Sequence, residues 1–175
     1  DPTAKYLGRL TLNPLKHIDP IGSILVPIFV YFSMGMVFGW AKPVPYNPYN
    51  LRKGKLGEGL VAAAGPLSNF LIAFIFGIFL RLGVVIGLTQ SFLDIIGLIV
   101  IINIVLAVFN LVPIFPLDGS KVLFALLSNN YEPWKKILEQ YSFFLLLIFI
   151  FFLWKFIVPI VSIIYFIFTG QFFNL

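Results

Sequence analysis

Leu60-Val-Ala-Ala-Ala-Gly-Pro-Leu-Ser-Asn-Phe-Leu-Ile-Ala-Phe-Ile-Phe-Gly-Ile-Phe-Leu80 runs for 21 residues without a charged side chain. A helix that crosses the hydrocarbon of a bilayer needs about 20 such residues. The stretch therefore predicts a transmembrane helix, with Gly65, Pro66, Ser68 and Asn69 as its polar or small interruptions. Three further runs share its character. Ile21–Trp40 and Ile95–Pro113 carry no charge, with Asp94 at the mouth of the latter. Ser142–Phe168 is broken only by Lys155 and Pro159. The last reads as one long kinked helix, or as a span plus an interfacial piece. Pro159 is its natural kink, because proline removes a backbone donor.

The composition agrees. Of 175 residues, 60% are hydrophobic and only 11% are charged, where soluble domains carry about 25%. A mean hydropathy of +1.02 with 21 Phe cannot be hidden in a soluble fold this small. These values exclude a soluble enzyme, a disordered chain and a nucleic-acid-binding module. The chain has no Cys, so disulfide and thiolate chemistry are excluded.

The expected fold class is an all-α polytopic membrane protein, a transmembrane helix bundle in one domain over residues 1–175. The expected localisation is integral, multi-pass, in the cell membrane. Short loops rich in Lys and Arg face the cytoplasm. Loop 41–58 carries Lys42, Arg52, Lys53 and Lys55, and loop 114–141 carries Lys121, Lys135 and Lys136, whereas loop 83–91 has none. The first two are placed inside and the third outside. Strict alternation then puts Lys5, Arg9 and Lys16 outside, so Ile21–Trp40 either dips back or crosses against the rule.

Two polar segments read as extended backbone. Residues 6–13 alternate in polarity and predict a short membrane-associated β segment. Segment 41–51 holds Pro43, Pro45 and Pro48, which disfavour a helix. The two could pair with each other or receive a client peptide by strand addition.

Three constellations could carry chemistry. In Asn110-Leu-Val-Pro-Ile-Phe-Pro-Leu-Asp118-Gly119 a span ends, two prolines break it, and Asp118 opens a short helix. Asp118 is either a helix N-cap or a metal ligand or proton relay at membrane depth. In Ala64-Gly-Pro-Leu-Ser68-Asn69, the polar side chains are either an interhelical clasp or donors lining a polar cavity. In His17-Ile-Asp19-Pro20, His17 is the sole histidine and cannot build a zinc site of three protein ligands alone. It reads as an interfacial His beside a turn. Asn103 is read as a helix–helix hydrogen bond.

DPTAKYLGRLTLNPLKHIDPIGS, FGWAKPVPYNPYNLR, AGPLSNF and FNLVPIFPLDGSKVL, in this order, resemble the compact site-2 protease family of intramembrane zinc metalloproteases. The likeness covers Asp1 to about Leu127. It implies a zinc metalloendopeptidase that cleaves membrane-protein substrates within or near the bilayer, with zinc as cofactor and the bilayer and a transmembrane protein as partners. Asp118 matches the family's third zinc ligand. Asn69 matches an asparagine that faces the active site and helps hold the substrate or its oxyanion. Asn110 is a weaker candidate at the same cleft. The family's H-E-x-x-H helix, with two His ligands and a general-base Glu, precedes the DPTAK-like segment and is not among these residues. The chain is thus expected to be N-terminally incomplete and inactive by itself. The alternatives are a catalytically inactive membrane scaffold that binds clients and an ion or proton transporter fragment using Asp118 and Asn69.

Overall fold

The computed structural model describes residues 1–175 except 12, 36–38, 40, 41, 43, 45, 128–130 and 173–175. It contains two compact units, 1–54 and 55–175.

In the first unit, α1 (Thr3–Tyr6) ends at Gly8, whose left-handed φ of 63° suits glycine. Arg9 follows and is 7% exposed. Its guanidinium donates to the carbonyls of Lys16 and of Lys42, the latter at 2.6 Å. The Lys42 amide in turn donates to the His17 carbonyl at 3.0 Å. The expected β segment over 6–13 is therefore corrected: the described residues form no strand, and Leu12 lies outside them. The alternation of 6–13 reflects one buried arginine that gathers two carbonyls, not a ladder. Of the proline-rich segment, residues 41, 43 and 45 also lie outside the described residues, and Pro48–Asn50 is a 3-10 turn.

Pro20 leads into five residues of wide helical turn, Ile21–Leu25, which continue as α2 (Val26–Met34). Gly35 stops α2 with φ 68° and donates to the Tyr31 carbonyl at 2.9 Å, a left-handed helix stop. This helix is about 20 Å long, against about 30 Å of hydrocarbon. It is apolar but shorter than a span, so the helix does not fill the run Ile21–Trp40.

The second unit is built on two long helices joined by a short turn. α3 (Gly54–Val85) and α4 (Gln90–Asn110) are long and apolar enough to cross a membrane. They match the expected spans Leu60–Leu80 and Ile95–Pro113. Gly87, at φ 75°, turns the chain between them. One face of α3 is a stripe of small or compact buried residues: Gly59, Ala62, Pro66, Ala73, Gly77 and Leu80. The spacing of three and four keeps them on one side of the helix. The opposite side exposes Leu67, Leu71, Phe74 and Ile78, as a lipid-facing surface does. Ala73, Val100 and Ile104 form the centre of the core with Val161 and Tyr165 from a later helix, α8 (Trp154–Thr169). A side chain on Gly77 would meet Phe168 at 2.9 Å, so glycine lets α3 and α8 approach closely.

Between α4 and α8 lie α5 (Asp118–Leu126), α6 (Glu132–Gln140) and α7 (Ser142–Ile148). The apolar run 142–168 is bent by 67° between Ser142–Phe152 and Lys155–Thr169. Pro159 itself lies inside α8. The kink expected at Pro159 is therefore corrected: the bend follows the wide helical turn Phe149–Leu153, a local π-type widening that bends a helix without a proline. The pair counts as a third span only if both arms are one crossing. The polytopic bundle thus rests on two long apolar helices, or three with the bent pair.

Candidate active site

Asp118 is placed by a loop folded back on itself. After α4, the Ile114 amide donates to the Val112 carbonyl and the Leu117 amide to the Ile114 carbonyl, both at 2.8 Å. Phe115 turns inward and stacks on Phe124 of α5, ring centroids 5.6 Å apart. Gly119 then passes against the backbone of Leu111 and Val112, where any side chain would collide. That close approach explains why glycine follows Asp118. Ser120 is fully buried and donates to the Leu117 carbonyl at 2.7 Å.

The N-cap position of α5 belongs to Leu117, and no side chain caps it. Asp118 is the first residue of the helix proper. Its charge suits the helix N-terminus, but its carboxylate accepts no cap hydrogen bond. The carboxylate is half-buried and points across to α3. Its Oδ2 lies 3.5 Å from the position a side-chain carbon would take on Gly65. Among the described residues it has no hydrogen-bonding or ion-pairing partner, so its oxygens are available to a ligand.

α5 runs antiparallel to the start of α3. Gly59 meets Ala125, and further on Gly65 meets Asp118. Asn69 is four residues beyond Gly65, one turn along the same side. It also sits between Pro66 and Ala73 in the register of the buried stripe, and is half-buried. The helical register thus puts the Asn69 amide on the side of α3 that carries Gly65. Pro66 lacks an N–H, and the Ser68 hydroxyl donates to the Gly65 carbonyl at 2.7 Å. Ser68 therefore serves its own helix, not an interhelical clasp.

The other candidates have local hydrogen-bond partners. Asn110 donates to the Leu106 carbonyl at 2.8 Å. Asn103 donates to the Ile99 carbonyl at 2.8 Å, so the expected helix–helix bond is an intrahelical one. In the first unit, His17 Nε2 is 3.0 Å from the Thr11 carbonyl. Asp19 Oδ1 accepts from the amides of Ile21 and Gly22, each at 2.9 Å. The HIDP element is a helix start, with Asp19 satisfying amides that the helix leaves orphaned.

Sequence reasoning missed Lys55. Its Nζ donates to the Leu127 carbonyl at 3.0 Å, closing the end of α5, and lies 3.7 Å from the Glu132 carboxylate. A lysine at the foot of a span gave no signal beyond loop charge. At the far end of the bundle, a cavity of about 610 Å³ is lined by Gln90, Asp94 and Tyr165 among others.

Among the described residues no three His, Cys, Asp or Glu side chains come together to hold a metal. One ligand fits well: a carboxylate with free oxygens, held by a tight loop and facing a glycine. Zinc accepts such an oxygen beside nitrogen ligands, so Asp118 suits a shared site to which it gives one bond.

Comparison with known proteins agrees. Peptidase family M50 matches residues 82–153, which include Asp118. YwhC of Bacillus subtilis (strain 168), named a candidate zinc metalloprotease, is 37% identical over 158 residues, covering 85% of this chain and 67% of that protein. Zinc metalloprotease MJ0392 of Methanocaldococcus jannaschii is 34% identical over 84 residues, 44% of this chain and 22% of that protein. Rip2 of Mycolicibacterium smegmatis, also named a candidate zinc metalloprotease, is 30% identical over 125 residues, 66% of this chain and 43% of that protein. The chain thus spans two thirds of YwhC and less than half of the other two. No solved structure matches it. An Asp-Gly turn that frees a carboxylate toward an apolar helix, together with this level of identity to YwhC, establishes that the chain belongs to peptidase family M50, the site-2 proteases.

Proposed function

We propose that the chain is the membrane-embedded part of a zinc metalloendopeptidase that cuts membrane proteins within or near the bilayer. The observation that carries this reading is the Asp118 carboxylate, unpartnered among the described residues and facing Gly65, one helical turn from Asn69. A carboxylate at membrane depth is costly unless it has a task.

Asp118 supplies one zinc ligand. The two His ligands and the glutamate base implied by the family resemblance are not among residues 1–175. Bound zinc would lower the pKa of a coordinated water and so supply the nucleophile. The rest belongs to this chain. The 111–119 loop fixes the direction of Asp118. Gly65 leaves room in front of it. Asn69 can donate from its amide to the oxyanion that develops on the scissile carbonyl, where one such donor contributes about 3 kcal/mol in other hydrolases. A client helix has its amides paired inside the membrane, so it must unwind locally before its carbonyl can reach that donor.

The test is Asp118→Asn in the natural full-length protein, reading zinc content and cleavage of a membrane client. Loss of both, with the protein still inserted and folded, is expected. Retention of zinc and cleavage would overturn the ligand role.

A further inference from the structure

α6 divides its residues sharply. Trp134 and Ile137, with the flanking Tyr131 and Tyr141, are exposed, and helical spacing puts them on one side. Glu132, Lys136, Glu139 and Gln140 are exposed on the other. Between the two sides, Lys135 and Leu138 are half-buried and mark the flank that rests on the second unit. The helix therefore lies against the protein by one edge. Its aromatic side, where Trp134 is 62% exposed, and its charged side are both left open.

Lys55 gives the level at which α6 sits. Its Nζ lies 3.7 Å from the Glu132 carboxylate, so α6 begins beside the foot of α3. The uncharged run Leu60–Leu80 starts further along α3, about 7–8 Å from Lys55 at 1.5 Å per residue. A bilayer about 40–45 Å thick around about 30 Å of hydrocarbon has a headgroup layer of about 5–8 Å on each side. With the uncharged run filling the hydrocarbon, Glu132 stands in that layer. At its other end α6 passes straight into α7 through Tyr141. The Tyr141 amide donates to the Ile137 carbonyl at 3.1 Å, and the Tyr141 carbonyl accepts from the Leu145 amide at 3.0 Å. α7 opens the apolar run 142–168. Both ends of α6 are thus tied to segments that enter the membrane.

We propose that α6 lies in the plane of the membrane surface, with its aromatic side seated in lipid between the headgroups and the acyl chains. Tyr and Trp suit that layer because their rings are apolar and their O–H and N–H groups are polar. Such a helix buries its apolar side about 5–10 Å into the boundary. Lys135 and Lys136 are balanced by Glu132 and Glu139, so the contact is apolar and needs no anionic lipid. A second copy of the chain or a soluble partner would require the aromatic side to face water. The level set by Lys55 and the entry of α7 turn it to lipid instead. Lys55 also holds the Leu127 carbonyl at the end of α5. A seated α6 therefore fixes the level of α5, the helix that begins with Asp118. The proposal needs the membrane spans but not the zinc chemistry.

The experiment uses the full-length protein in phosphatidylcholine nanodiscs and does not depend on proteolysis. Residues 1–175 hold no Cys, and any Cys elsewhere in the protein is changed to Ser. Trp134→Cys, Ile137→Cys, Lys136→Cys and Gln140→Cys are then made one at a time and each carries a nitroxide spin label. All four positions are exposed, so the labels leave the packing intact. Collisions with oxygen, which dissolves in lipid, are compared with collisions with a water-soluble nickel chelate. Oxygen should dominate at positions 134 and 137 and the nickel chelate at 136 and 140, so that the ratio reverses across the helix. Dominance of the nickel chelate at all four would overturn the proposal, because the aromatic side would then stand in water. Low collision rates with both reagents at 134 and 137 would overturn it too and assign that side to a protein surface. A reversal that appears only after phosphatidylglycerol is added would overturn the aromatic side as the part that seats the helix.

Discussion

The Oδ2 of Asp118 stands 3.5 Å from the point where a side-chain carbon on Gly65 would begin. That spacing is ordinary van der Waals contact, so a methyl group fits and a branched chain does not. Gly65→Ala should keep zinc content and client cleavage close to the parent. Gly65→Val should push the carboxylate aside and lower zinc affinity by about 10–100-fold, the usual range when the support of a metal ligand is disturbed. Zinc stoichiometry after dialysis against a graded chelator reads the difference. Equal occupancy in both variants would mean that Asp118 is not oriented by the space in front of Gly65.

Gly119 has the opposite character. Any side chain there meets the backbone of Leu111 and Val112, and backbone cannot swing away as a side-chain tip can. Gly119→Ala should therefore cost at least the roughly 1–3 kcal/mol of an overpacked core. It should also shift the loop that aims Asp118. Unfolding midpoints in detergent and zinc content should fall together. A stable variant with normal zinc would show that the loop has slack.

How much of this was legible follows from the kind of signal each residue gives. The spans at 60–80 and 95–113 were plain because lipid demands long uncharged runs. The link between Asp118 and the Gly65–Asn69 turn came from motif resemblance, and only the approach of Asp118 to Gly65 is visible in the packing of α5 on α3. The strand at 6–13 was misread because alternation cannot tell a sheet face from a single buried arginine. Arg9 collects carbonyls from Lys16 and Lys42, and the second is 33 residues away. The N-cap reading of Asp118 failed by one position, since Leu117 takes that place. Asn103 and Ser68 turned onto their own helices, which spacing could not reveal.

Two of the contacts of Lys55 are of unequal worth. The bond to the Leu127 carbonyl ends α5, while the pair with Glu132 is partly exposed at 3.7 Å. Exposed ion pairs contribute about 0–1 kcal/mol, and charged hydrogen bonds about 1.5–3 kcal/mol. Lys55→Met should thus lower stability measurably in a denaturation series, whereas Glu132→Gln should be nearly silent. Equal losses would place the stabilisation in the ion pair.

Asp19 provides the clearest separation of fold from chemistry. It accepts from the amides of Ile21 and Gly22, and the sole histidine lies two residues before it. A role as helix cap predicts that Asp19→Asn is nearly neutral, because the amide oxygen of Asn caps as well. Asp19→Ala should cost about 1 kcal/mol. A role as metal ligand predicts the reverse emphasis: Asn would lose zinc as badly as Ala does, with little change in unfolding. Unfolding midpoint and zinc content, measured on both variants, distinguish the two. We expect the midpoint to drop in Ala alone and zinc to stay in both, since Asp19 turns its oxygen to its own backbone.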